Sequence, residues 1–447
     1  MKRARSMWLT LILFVVGLGL AFGLGVMVGR QRGFALFSAP EATPLVNFEF
    51  KIPADTAPGD QLYLTGSFNQ WRPNDPTYVL SRSADIAYGA WPFTNGLRLD
   101  FKLTRGSWSN VEKAADGSEM PNRTGIAASG AQVKGTVAAW ADRQRDAAKI
   151  YDERVERVDF FSQALGITRT FYIYLPIETR SDENLRVPSL YLFRGHEREW
   201  INKTEDGTRG GNRNVIDVYE ELRRQDQIGP MVMVFPGMTN ANDGIHSLGI
   251  NLHSPELVAD PSIGTGLFED FIYRDLIPYV ETHYPVLFGG AHRSLDGFSL
   301  GGFISVNQAL RHPNEWASVG AYDGLFFWDD PENAEIIAAR DSVFERNLFD
   351  ANFGVPRDHT FAAQHNPLTL LRIDGAQASK LQWLIEYGPE SAEPNVNYYR
   401  GARLDELLRE VGAHNRLSGV VPNANHSWQM ADEHMRRSLP YHYQQTQ

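Results

Sequence analysis

The stretch Asp296-Gly297-Phe298-Ser299-Leu300-Gly301-Gly302 constrains this chain more than any other, because serine with glycine two residues to either side fits one local geometry. That geometry is a sharp strand-to-helix turn. The serine takes strained dihedrals that lift its hydroxyl clear of a sheet, and the glycines let strand and helix approach. The small-residue, apolar run Phe303 to Leu310 predicts the helix that follows. Its first free N–H groups, starting at Leu300, would face whatever Ser299 attacks, where negative charge develops. Average glycine and serine usage produces the bare pattern in roughly one chain of this length in six, so the motif needs support from elsewhere in the chain.

A length of 447 residues exceeds one ordinary core and predicts two or three domains. Hydrophobic content of 43% with 22% charged residues describes a globular protein. The net charge of -11 supplies no basic excess for phosphates, which argues against nucleic-acid binding. Cysteine is absent, which excludes disulfides, a thiolate nucleophile and cysteine-ligated zinc but leaves the compartment open.

An apolar run from Met7 to Val28 follows Lys2, Arg3 and Arg5 and precedes Arg30 and Arg32. About twenty such residues span a bilayer core. A cleaved signal peptide has a shorter apolar region and a small-residue site, which Ser38-Ala39-Pro40 does not offer. The favoured expectation is therefore an uncleaved signal anchor, with cleavage as the alternative: a cytoplasmic tail at 1–6, a transmembrane helix at 7–29 and a linker at 30–44. The slightly larger amino-terminal cluster of positive charge places the bulk of the chain outside the cytoplasm. Gly19 and Gly23, with Gly25 and Gly29, would permit two such helices to pack closely, but oligomeric state stays open.

From 45 to 143 the pattern changes to short alternating segments, Val46 to Ile52, Gln61 to Gly66 and Leu97 to Leu103, broken by Gly, Pro, Asn and Asp. Period two with such breaks predicts an all-β sandwich. Leu62-Tyr63-Leu64-Thr65-Gly66-Ser67-Phe68-Asn69-Gln70-Trp71, then Phe101 to Trp108, Glu112 and Asn122-Arg123, resembles the starch-binding-type, immunoglobulin-like carbohydrate modules. The resemblance implies that Trp71, Trp91 and Trp108 stack on sugar rings. The plainer reading, in which they fill the core, stands beside it.

Beyond this segment, apolar strand-like runs alternate with helical spacing. Thr170 to Pro176, Ser189 to Phe193 and Met231 to Phe235 read as strands, and Val215 to Leu222 and Phe268 to Val280 as helices. Such alternation predicts a mostly parallel sheet covered on both faces, with ligand sites beyond the carboxyl ends of the strands. Thr170 to Pro176, the glycine loop after Phe193, Phe268-Glu269-Asp270 with Leu276 to Val280, Gly297 to Gly302 and Arg311-His312-Pro313 together resemble the family called Putative esterase. Enterochelin-type, feruloyl and acetyl xylan esterases, esterase D and mycolyltransferases belong to it. The resemblance implies an α/β-hydrolase fold, placed here at 150–447, and a serine carboxylic-ester hydrolase.

A serine hydroxyl needs a base, and in this fold the chain order is Ser, acid, His. Asn425-His426-Ser427-Trp428 resembles the family's terminal His-Ser-Trp motif, which makes His426 the base. His312 lies on the helix leaving Ser299, and His434 and His442 read as surface histidines of the carboxy-terminal helix. The acid is expected in the loop after the strand Leu381 to Tyr387. The family's usual acid slot there holds Ser391, so Glu390 is favoured and Glu393 is the alternative. By resemblance the oxyanion hole combines the Leu300 and His196 N–H groups, although Arg194-Gly195 stands where the family commonly has His-Gly. No metal or cofactor is implied. The expected partner is an ester, carbohydrate- or siderophore-linked, on the outer side of a membrane. An acyltransferase with the same triad and a catalytically weak glycan-binding protein are the rivals.

Overall fold

The computed structural model describes residues 43–447 except 116–119, 121, 142–151, 204–207, 210–212, 240–246, 259, 328–340, 342, 394, 414 and 416–418. The expected tail, transmembrane helix and nearly all of the linker lie outside the described residues. Among those described, no helix is long and apolar enough to cross a membrane. The chain forms two compact units. Among the described residues, one comprises 43–47, Ala90–Leu97 and Ile126–Ala131; the other comprises those of Phe48–Gly89, Arg98–Gly125 and Gln132–Gln447.

In the first unit, three segments meet through backbone bonds. Phe93 donates to the Pro44 carbonyl at 3.0 Å, Gly96 to Ala127 at 2.7 Å and Ala127 back to Leu97 at 2.9 Å. The second unit holds most of the expected β-rich region. Strands β1 (Leu45–Lys51), β2 (Leu62–Gly66) and β5 (Arg98–Thr104) fall where alternation predicted strands, whereas β3 (Val79–Ser83) and β4 (Ile86–Pro92) lie between them where no strand was expected; β1 and β4 each run from one unit's residues into the other's. The pairs β2 with β3, β2 with β5 and β3 with β4 are all antiparallel. Leu99, Phe101 and Leu103 of β5 are fully buried, with Asp100 and Lys102 between them, as period two requires.

The large sheet of this unit has seven strands: β6 (Val155–Ser162), β7 (Ile167–Tyr174), β8 (Ser189–Phe193), β9 (Val232–Pro236), β10 (Arg293–Gly297), β11 (Ser318–Tyr322) and β12 (Gln382–Glu386). Their order is β6-β7-β9-β8-β10-β11-β12. The first two form an antiparallel edge, and the other five are parallel. The continuous apolar runs are explained by two cores. Tyr191, Phe193, Val232 and Val234 pack into one, while Leu190, Leu192, Met233 and Phe235 pack into the other. Alternation persists, but both faces are covered. The helices that matter for the site are α1 (Val215–Arg224), α2 (Leu300–Arg311), α3 (Tyr398–Glu410) and α4 (Trp428–Gln445). Asn214 caps α1, accepting from the Ile216 and Asp217 amides, a contact worth about 1 kcal/mol. Helix α2 contributes Phe303, Ile304 and Val306 to the first core, and α1 and α4 cover the opposite face.

Candidate active site

Three neighbouring parallel strands, β8, β10 and β11, end at one point, and each delivers a functional side chain there. Ser299 follows β10 with φ 57° and ψ -112°, a left-handed conformation that costs a non-glycine residue about 1–3 kcal/mol. The turn is fixed by bonds to its neighbours. The Ser299 amide donates to the Tyr322 carbonyl at 3.0 Å, and its own carbonyl accepts from Leu325 at 3.0 Å. A Cβ on Gly297 would lie 2.1 Å from the Gly301 carbonyl oxygen, and one on Gly301 would lie 1.9 Å from that of Phe193. The glycines are therefore demanded by close approach, as the motif predicted. Leu300 begins α2, so its N–H is among the four that a helix leaves without intrahelical partners.

His426 precedes α4, and its position is set by the helix start. Ser427 caps α4 by accepting from the Met430 amide at 3.2 Å. Trp428 is buried, edge-on to Trp200 at 5.1 Å and to Phe298 at 5.2 Å, with the Arg209 guanidinium 4.2 Å from its ring. The His426 ring lies 4.7 Å from that of Phe298, the residue before Ser299.

The carboxylate that meets His426 is Asp323, just beyond β11, with Oδ2 2.5 Å from Nδ1. The expected acids, Glu390 and Glu393, are engaged elsewhere. Glu390 accepts from the exposed Tyr399 hydroxyl at 2.9 Å, and Glu393 accepts from the Tyr399 amide at 3.3 Å. The physical reason is the loop itself. The Gly388 and Asn397 amides, at its two ends, donate to Asp323 Oδ1 at 3.2 and 3.0 Å, so the segment supplies donors to the acid rather than the acid. Asp323 has no exposed side-chain surface, and its two oxygens are taken by the His426 ring and the two backbone amides. The signal available in the sequence was an aspartate directly after the apolar strand Ser318 to Tyr322 and before Gly324.

The second expected oxyanion donor is also displaced. The His196 amide donates to Glu199 Oε2 at 2.6 Å, and the Gly195 amide donates to the same oxygen at 2.7 Å. A carboxylate on the following turn thus takes up both amides. The strand end of β8 instead places Arg194 by the site, its guanidinium 5.1 Å from the Phe298 ring and its Nε 3.5 Å from Glu199 Oε1.

Ser299, Leu300, Arg194 and His426 line a cavity of about 750 Å³. Trp71, Arg98, Asp100 and Thr124 of the β-rich region line it too, within the same compact unit. Of the three expected sugar platforms, Trp71 is only 9% exposed and packs 6.3 Å from Trp108, which is part-buried. Trp91 is part-buried in the other unit. Trp71 is thus a wall of the cavity beside Ser299 rather than an open platform. Phe326 and Phe327 are fully buried core residues. Among the described residues, no cluster of three or more His, Asp or Glu could hold a metal.

Behind the serine lies a network that the sequence did not suggest. His434 and His442, expected at the surface, are fully buried. His434 Nε2 meets Asp296 at 3.1 Å and its Nδ1 meets Glu386 at 2.8 Å, while His442 Nε2 meets Asp296 at 3.1 Å. Their partners lie more than forty residues away in sequence, out of reach of any local pattern. Burial opposes a charged His434 ring, but Asp296 and then Glu386 outweigh it and raise the ring to about 9. The folded value exceeds that of free histidine, about 6.5, so the stabilisation is complete below that pH and lost as pH rises through about 9. The thermal midpoint is expected to fall by several degrees between these limits, and His434→Gln to remove much of that slope. A flat profile for the wild type would contradict it.

Residues 162–355 match the family model described as Putative esterase. A solved ferulic acid esterase superposes with a TM-score of 0.50 at 17% identity, covering 66% of this chain and 99% of that one, a likeness of fold. Two curated relatives match shorter stretches. An alpha-amylase of Niallia circulans is 43% identical over 127 residues, 28% of this chain and 10% of its own length. An amylopullulanase of Thermoanaerobacter thermohydrosulfuricus is 31% identical over 98 residues, 21% of this chain and 6% of its own. The chain thus spans a tenth or less of the curated relatives it matches.

Proposed function

We propose that this chain, whose residues 162–355 match the Putative esterase model, is a serine carboxylic-ester hydrolase that works by two-step acyl transfer to water centred on Ser299. His426 takes the Ser299 proton as Oγ attacks the ester carbonyl, and returns it to the departing alcohol. It then deprotonates the water that releases the acid. Asp323 holds the ring with its free nitrogen toward the serine. Leu300 N–H meets the oxyanion, and Arg194 brings positive charge to the same wall. The single observation that carries this reading is the 2.5 Å contact of Asp323 with His426, in a cavity shared with the strained Ser299.

The substrate we favour is a glycan-linked ester. Support comes from the matched stretches of two proteins named for α-glucan hydrolysis, and from the starch-module pattern of Leu62 to Trp71. In this reading 45–143 is an immunoglobulin-like sandwich that serves the esterase. Met7 to Val28 anchors the chain with its catalytic domain outside the cytoplasm.

The test is a panel of p-nitrophenyl acyl esters, feruloylated and acetylated oligosaccharides, offered to the full-length protein with and without an added alcohol. Release of free acid with preference for the sugar esters is expected. Transfer to the alcohol in place of release would make the protein an acyltransferase, and no turnover of any ester by the folded protein would defeat the proposal.

A further inference from the structure

The cavity beside Ser299 is cationic in a protein of net charge -11, and its positive groups differ in how they are neutralised. Arg98 is bonded to Asp100 at 3.1 Å, Arg400 to Asp341 at 2.7 Å, and Arg194 lies 3.5 Å from Glu199. Arg346 has no such hydrogen-bonded partner among the described residues. Among the described residues, no hydrogen bond or ion pair reaches its guanidinium, and its buried Nε is unsatisfied. The guanidinium lies against the Trp71 ring, 5.3 Å from the centroid, and feels the opposed charges of Arg400 and of Asp341, which Arg400 already holds. Burial, and then the charge of Arg400, pulls the guanidinium down to about 10, so it stays charged at neutral pH but under strain that an anion would relieve.

The loop that presents Trp71 is held in an unusual shape. Gln70 and Trp71 both have positive φ, 57° and 61°. The Asn69 side chain locks the turn by accepting from the Gly66 amide at 2.8 Å and donating to the Leu64 and Arg72 carbonyls at 3.1 and 3.3 Å. Two successive left-handed non-glycine residues store strain of a kind that gathers at ligand sites. On the other side, the Arg346 carbonyl is fixed by Arg357 at 2.8 Å. Both partners of the stack are therefore positioned by their backbones, and the guanidinium edge stays open to the cavity's contents.

We propose that Arg346, stacked on Trp71, is a carboxylate subsite, so that the preferred ester of Ser299 bears a negatively charged carboxylate on the part of the molecule lying against Trp71. A planar guanidinium matches a carboxylate with two parallel N–H donors, and the aromatic face beneath excludes water from one side of the pair. Glu393 also lines the cavity and opposes an anion beside it, so the subsite selects where the charge sits as well as its sign. The proposal rests on Ser299 and His426 being the hydrolytic pair.

Two matched substrate pairs test it. In one, 4-acetoxybenzoate is compared with methyl 4-acetoxybenzoate; in the other, p-nitrophenyl hydrogen glutarate is compared with p-nitrophenyl pentanoate. The wild-type protein is expected to favour the anionic member of at least one pair by about 10- to 100-fold in kcat/KM at low salt, the scale of one charge-assisted contact. The preference should shrink in about 1 M salt. It should collapse toward unity in Arg346→Met, survive in part in Arg346→Lys, and be unmoved by Arg157→Gln on the exposed β6 edge. Wild-type protein with no preference in either pair overturns the subsite, whatever the variants do. Binding of 4-hydroxybenzoate against methyl 4-hydroxybenzoate, measured by titration calorimetry on Ser299→Ala, separates the two claims. Arg346-dependent binding without turnover of any ester keeps the subsite and defeats the hydrolytic reading. Turnover of neutral esters with no Arg346-dependent binding does the reverse.

Discussion

Replacing Ser299 by alanine is expected to lower kcat for any ester substrate by about 10⁴- to 10⁶-fold, leaving only what oxyanion donors and binding supply. Alanine keeps the turn, because the residue's amide and carbonyl contacts to Tyr322 and Leu325 belong to the backbone. The hydroxyl is the one group lost. The thermal midpoint should therefore move little, and the loss should appear in kcat with substrate affinity retained. Activity within tenfold of the wild type would remove Ser299 from the mechanism.

The second large effect belongs to Asp323. Asp323→Asn is expected to cut kcat by about 10³- to 10⁴-fold. If the asparagine carbonyl keeps the Gly388 and Asn397 amides, its NH₂ faces His426 Nδ1. The ring must then carry its proton on Nε2, the nitrogen that should receive the serine proton. Glu390→Ala and Glu393→Ala serve as the contrast, each expected to change kcat by less than about tenfold, since neither carboxylate touches the ring. A loss in Glu390→Ala equal to that in Asp323→Asn would reverse the assignment.

These two residues also mark how far the sequence could be read. Ser299 was legible because its signal is steric and local: two glycines within two residues, each required by an approach of about 2 Å. His426 was legible through the Ser427 cap and the Trp428 anchor, which lie next to it in the chain. Asp323 was not, because its role depends on which strand lies beside β10, and order within a sheet leaves no mark in one strand's composition. Among the parallel strands, β8 and β9 were bounded by turn residues and apolar on both faces, and such runs stand out, whereas β11 was not singled out. The edge strand β6 did not, since its alternating exposure reads as a polar segment. His434 and His442 were misread for the same reason as Asp323, because the carboxylate that buries them comes from a strand more than 130 residues earlier. Arg346 carries no local signal, since what distinguishes it is its place against Trp71, far away in the chain.

That separation in sequence has a consequence for biosynthesis. Asp296 sits at the centre of the sheet, yet its partners His434, Ser438 and His442 are all supplied by helix α4, up to 146 residues later. At about 5–20 residues per second, a ribosome needs about 7 to 30 seconds to reach them. During that interval the nascent chain carries a carboxylate meant for a dry interior with nothing to neutralise it, so the strand bearing Ser299 has no reason to close. The emerging chain should thus depend on chaperones until α4 docks, and acquire its hydrolytic competence late in its synthesis.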